Sequence, residues 1–259
     1  MINWGALTLF LYIVMRMSGF VLFNPVFGRN GIPAYFQAAF ILMLSLMVFS
    51  YAGGAGVTVP GTVTQLSVTL LRELILGFFV AMVMRFFLYI PEQAGEVIDT
   101  QMGMSMARSY DPGSQSSMTS TANLLNALTI ILFFSANGHV TLLRMMLTSG
   151  EIIPFGAASF GNMAVNRMVE LFAECVLMSV KLSFPILGAE LLGQVGMGVL
   201  MKAIPQINVF AINIELKVII GMVMLLVLVA PMSEYLLEAE SIMLGTVRDI
   251  LILMTPGAG

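Results

Sequence analysis

Acidic side chains at helical spacing are the first candidates for chemistry in this sequence. Glu92, Glu96 and Asp99 recur at a period that puts three carboxyls on one face of a helix. Paired carboxyls can serve as general acid and base, but that work needs a nucleophile or an oxyanion donor within reach, and the sequence places neither beside them. The only histidine is His139 and the only cysteine is Cys175, too few ligands for a usual transition-metal site. Cys175 lies among Phe172 and Leu177, where a thiol packs rather than reacts, and a lone cysteine forms no intrachain disulfide. His139 follows Asn137-Gly138 and reads as capping or packing at a helix start. The glycines of Gly193-Gln194-Val195-Gly196-Met197-Gly198 are in the wrong order for a dinucleotide loop and sit inside an apolar run. With no P-loop, no His-Glu-x-x-His and no Gly-x-Ser-x-Gly, we expect no cofactor, no metal and no enzyme.

A second set of polar residues is unusual for its surroundings. Arg16, Glu174, Lys181, Glu190 and Glu215 fall within or at the ends of apolar runs, as do Arg72 with Glu73, Arg85 and Lys217. Charges in such runs face protein or water rather than lipid, so the first five are expected to be buried intramembrane charges. Arg72 and Arg85 lie where a long side chain can reach the headgroups instead.

The elements that must carry these residues are apolar to a degree incompatible with a soluble surface. Hydrophobic residues make up 59% of 259, charged residues 10%, and the mean hydropathy is +0.97. Residues 30–71 contain no Asp, Glu, Lys or Arg, and residues 112–143 contain only His139 as a titratable side chain. A membrane or a large apolar partner must cover such stretches. The net charge of −3 is scattered and lacks a basic block, which excludes nucleic acid as a natural partner. The N-terminus has no positive n-region and its first charge, Arg16, falls inside the first apolar stretch, so a retained segment is expected rather than a cleaved signal.

About 20 apolar residues cross a bilayer. Candidate spans lie at residues 5–23, 35–52, 66–90, 121–147, 170–201 and 207–231, a working count of six. The first two are separated by Pro25, Gly28 and Pro33, and the next pair by the glycine run before Pro60. Residues 234–253 intersperse acids and Arg248 among Leu and Ile, and predict an amphipathic helix on a surface. Ala189 and Gly193 have the small-residue spacing that lets helix backbones approach. The main polar interruption runs from Glu92 through Arg108 and Asp111-Pro112-Gly113 to the Ser/Thr-rich stretch ending at Thr121. It reads either as a solvated helix and loop or as the lining or lid of a water-filled passage. Met102, Met104 and Met106 stand beside it rather than inside an apolar run.

Several strings, in order, resemble one family. Gly95-Glu96-Val97-Ile98-Asp99-Thr100-Gln101-Met102-Gly103, Asp111-Pro112, Asn137-Gly138-His139 and Ser149-Gly150-Glu151-Ile152-Ile153-Pro154-Phe155-Gly156 look like the central portion of the FliR/SctT type III secretion export-gate family. Arg16-Met17-Ser18-Gly19, Asn24-Pro25 and Ile32-Pro33 look like its beginning, and Pro205-Gln206-Ile207-Asn208-Val209-Phe210 leading to Lys217 and Gly221 like its end. The resemblance spans nearly the whole chain. It implies an all-α, multi-helix membrane-associated protein: a FliP-like part over residues 1–160, then a FliQ-like helical hairpin with a C-terminal amphipathic helix over 161–259.

The implied role is non-enzymatic. Such a chain joins FliP and FliQ in the export gate of the flagellar basal body, in the bacterial inner membrane, and passes unfolded flagellar subunits, with FlhA and FlhB completing the apparatus. Under this reading Met102, Met104, Met106, Arg108, Asp111, Pro112 and Gly113 belong to a movable plug loop near residues 102–118. Pro205, Gln206, Asn208 and Lys217 form a turn that contacts a neighbouring subunit. A virulence-type secretion gate would share the same strings, and a stand-alone membrane transporter is the alternative from another class; copurification with FliP and FliQ homologues separates that class from a gate subunit.

Overall fold

The structure, a computed structural model, describes residues 4–29, 31–52, 59–104, 119–203 and 209–255. Among these there are eight α-helices: α1 Trp4–Phe23, α2 Ala34–Tyr51, α3 Val63–Gln101, α4 Ser120–Ser135, α5 Gly138–Leu147, α6 Ser149–Ile152, α7 Asn162–Ala203 and α8 Val209–Leu253. Five are long and apolar enough to cross a membrane, and the bent pair α4 and α5 makes up to six. An unbroken helix satisfies its own backbone polar groups, which is why apolar runs of this length become helices where water is absent.

Three of the predicted spans change when the chain folds. Residues 121–147 form two helices bent by 65° instead of one rod. Asn137 takes a left-handed conformation at φ 60, a geometry that an Asn before Gly supports and that no continuing helix permits. The span ending before Pro91 continues through it, and Pro185 and Pro231 likewise lie inside helices. Each proline forfeits one helical hydrogen bond, a loss that long helices tolerate when neighbours cover the freed carbonyl. The predicted surface helix at 234–253 is the second half of the 45-residue α8. Glu234, Glu238, Asp249 and Arg248 are exposed and Glu240 is half-buried, while Met243, Val247, Ile250 and Leu251 are buried at 3% exposure or less. An amphipathic pattern specifies one apolar face, and here protein covers that face.

The chain's own contacts divide it into two compact units, each assembled from separate segments. One comprises residues 1–87, 137–172 and 241–259, the other 88–136 and 173–240. These units follow packing and do not bear on the division expected near residue 160.

In the first unit α1 packs on α2, with Phe10 and Phe49 edge to face at 5.7 Å between centroids. α1 also meets α3 backbone to backbone: a Cβ on Gly77 would fall onto the Arg16 carbonyl and the Phe20 amide, and one on Gly19 onto the Leu74 carbonyl. Leu9, Ile13, Met17, Phe20, Leu76 and Val80 fill the core between them. In the second unit Ile90, Ala94, Ile98, Leu125 and Ile186 are buried at 2% exposure or less.

Candidate functional site

Arg16 is where the first unit concentrates its polar chemistry. Its side chain is completely buried, and its Nε lies 2.6 Å from Glu73 Oε2, also completely buried. Nη1 donates to Ser149 Oγ at 3.1 Å, and Nη1 and Nη2 both donate to the Ile153 carbonyl at 3.1 Å. The guanidinium carbon stands 4.3 Å from the centre of the Phe155 ring. Glu73 uses its other oxygen to accept the Gly156 N–H at 2.7 Å. Gly156 has φ +88, a conformation that disfavours any Cβ, and a Cβ there would come within 2.9 Å of the Tyr12 ring. Desolvating two charges is costly, and only the complete set of charge-assisted bonds makes the pair tenable. The cluster therefore acts as a knot that ties α1, α3 and residues 149–156 together.

Beside the knot is a cavity of about 680 Å³ whose walls include Tyr12, Tyr51, Gln65, Thr69, Glu151 and Phe155. Its lining mixes polar residues with the apolar Val48, Leu147 and Pro154. Among the described residues no three His, Cys, Asp or Glu side chains gather as metal ligands. Cys175 is buried at 3% exposure.

The second unit holds the described part of the expected loop. Asp99 leaves the solvated face expected of it: it is 1% exposed, accepts the Thr121 N–H at 2.8 Å and also accepts the Thr121 hydroxyl. Glu92 is half-buried and Glu96 exposed, so the three acids do not share one environment. Met102 is completely buried and Met104 half-buried. Met106, Arg108, Asp111, Pro112 and Gly113 lie outside the described residues, as do Pro205, Gln206 and Asn208. Lys217 is half-buried on α8.

The charges expected to be buried separate into two groups. Arg16 and Glu190 have no exposed surface. Neither carboxyl oxygen of Glu190 has a hydrogen bond of ordinary geometry; the charge of Lys217 and the backbone of Gly221 are the polar groups that act on it. Glu174 is half-buried, and Lys181 and Glu215 are exposed on this chain. They lie on outward faces of α7 and α8, so the chain's own packing does not cover them as the sequence led us to expect. Glu73 is the partner that sequence reasoning missed, because its neighbour Arg72 drew it into a pair at a helix end. Arg72 is in fact exposed while Glu73 points inward.

Long apolar helices with ionisable groups held inside protein define a polytopic helical membrane protein. Residues 7–241 match the family described as Bacterial export proteins, family 1, and the chain belongs to that family. It is 26% identical to the Flagellar biosynthetic protein FliR of Caulobacter vibrioides over 82% of this chain and 85% of that protein. To the FliR of Bacillus subtilis it is 24% identical over 95% of each. Similarity extends to the Yop proteins translocation protein T of Yersinia pestis, at 27% identity over 71% of this chain and 70% of that one.

Proposed function

We infer that this chain is a non-enzymatic core subunit of the flagellar type III secretion export gate, seated in the bacterial inner membrane and passing unfolded flagellar proteins. The observation that carries this reading is end-to-end kinship with flagellar FliR proteins, 95% of both chains for the Bacillus subtilis protein. Charges enclosed within long apolar helices support it, since a subunit of a gate must hold polar groups at membrane depth. In this reading FliP and FliQ assemble with the chain, FlhA and FlhB complete the apparatus, and the 102–118 loop is the plug. Residues 1–160 correspond to a FliP-like part and 161–259 to a FliQ-like hairpin. The exposed Lys181 and Glu215 then meet partner side chains of opposite charge instead of lipid.

The test is deletion of the gene in its own host. Export of rod, hook and filament subunits should stop, and a deletion strain that secretes hook protein normally would refute the assignment. Kinship with the Yop translocation protein supports a second reading, a virulence-type gate. A deletion strain that swims normally but no longer secretes virulence effectors would select it.

A further inference from the structure

Two contacts within the second unit fix how α7 and α8 lie against each other. A Cβ on Gly193 would stand 2.5 Å from Ile220 Cδ1, and the Tyr235 hydroxyl donates to the Met178 carbonyl at 3.4 Å. Residue numbers fall along α7 as they rise along α8, so the two helices run antiparallel. Glu190, three residues before Gly193, therefore comes level with the turn of α8 that follows Gly221, and Lys217 stands one turn before Gly221. Met102, just past the end of α3, also packs on Gly221, where a Cβ would meet its Cγ and Sδ at 2.6 Å.

The carboxyl held at this place is matched by nothing. Glu190 has no exposed surface, and neither of its oxygens has a hydrogen-bond partner. A buried, unpaired carboxylate is costly, and full enclosure keeps any residue of a second chain from reaching it. The group that answers it has to be on the same hairpin already. Lys217 is that group: its charge acts on Glu190, it is half-buried, and its ammonium rides on a flexible four-carbon stem. While water has access, the ammonium keeps its hydration. Once another surface covers α8 at this point the hydration is lost, and the two charges have each other as the remaining partner. We propose that Glu190 is the counter-charge of Lys217, that the two close into an ion pair when a neighbouring subunit covers α8, and that the surface fitting over Lys217 is accordingly apolar and not acidic. This rests on the reading of the chain as a gate subunit. Within that reading it makes Glu190 a specificity residue for the contact, because Lys217 asks no charge of its neighbour.

The experiment compares the yield of the whole gate on size-exclusion chromatography. Lys217→Met leaves Glu190 stranded and should lower the yield several-fold. Glu190→Met leaves the ammonium stranded under the covering surface and should do the same. Glu190→Met/Lys217→Met removes both charges and should recover most of the yield. Gly188→Ala, two residues from Glu190 and with nothing within 4 Å of its Cβ, should leave the yield unchanged. A double variant as poor as Lys217→Met places the counter-charge on the neighbour and overturns the pair, as does either single variant with wild-type yield. Where a single variant does not accumulate in cells, accumulation of the double variant supports the pair and its failure to accumulate overturns it. If the wild-type chain does not copurify with FliP and FliQ homologues, the gate reading itself fails. The pair is then decided by thermal unfolding of the chain in detergent, which also excludes water from the hairpin: a double variant melting several degrees above both singles supports it, and one melting no higher overturns it.

Discussion

An arginine without solvent contact is tolerable only while every partner is present, and this makes Arg16 the most sensitive side chain of the first unit. Arg16→Met should leave Glu73 charged, buried and unpaired, a loss of about 3–5 kcal/mol. Arg16→Met/Glu73→Met removes the stranded charge as well and should recover more than half of that loss, as measured by thermal unfolding of the detergent-solubilised protein. A double variant no more stable than the single one would mean that the pair is not the source of the cost. Lysine is no substitute here, since a single ammonium cannot span Glu73, Ser149 and the Ile153 carbonyl as the planar guanidinium does. The sequence marks Arg16 as a charge deep in an apolar run, but its partners lie 57 and 133 residues away. Periodicity carries no information about such distances, so the knot could be suspected from one residue and not drawn.

Among elements, the close approach of α1 and α3 depends on glycine at two facing positions. Gly77→Ala drives a methyl into the backbone of α1 and should destabilise by about 1–3 kcal/mol, the usual cost of overpacking. Gly188→Ala lies in a helix with open space before it and should instead stabilise by roughly 0.5–1 kcal/mol. Thermal unfolding of the two variants side by side checks the contrast, and equal effects would show that backbone contact is not what Gly77 permits. Helix existence was legible from apolar runs alone. Helix ends were not: the expected spans stop at Pro91 and Pro231, which are interior residues in the structure, as Pro185 is within a span expected to run through it. The bend at Asn137 was written in the Asn137-Gly138 pair, which had been read only as the start of a helix. The amphipathic pattern of 234–253 identified the apolar face of that segment, but periodicity does not say what meets such a face, and the surface helix expected there is covered on that face by protein.

For the whole molecule, length against bilayer thickness is the governing comparison. α3, α7 and α8 contain 39, 42 and 45 residues. At about 1.5 Å per residue they run to roughly 60–70 Å, twice the ~30 Å hydrocarbon core. Much of each helix must therefore be covered by something other than lipid, in keeping with an assembly partner. In the proposed gate, Lys217, half-buried inside an apolar stretch, is set against a partner, whereas Arg248 is simply exposed. Lys217→Ala should accordingly lower the yield of the purified complex on size-exclusion chromatography more than Arg248→Ala, and equal yields would count against docking through α8. Finally, the knot imposes an order on synthesis. Arg16 emerges early, yet the Ile153 carbonyl that caps its guanidinium is 137 residues further along the chain. At roughly 5–20 residues per second, the counter-ion Glu73 follows Arg16 by about 3–11 s and the Ile153 carbonyl by about 7–27 s. Between the two, α1 has its counter-ion but not its carbonyl, so the guanidinium's remaining donors must wait in contact with water or insertion machinery. A chain truncated before residue 149 would keep Glu73 but lack both Ser149 and the Ile153 carbonyl, leaving the buried guanidinium short of two of the partners that make it tenable.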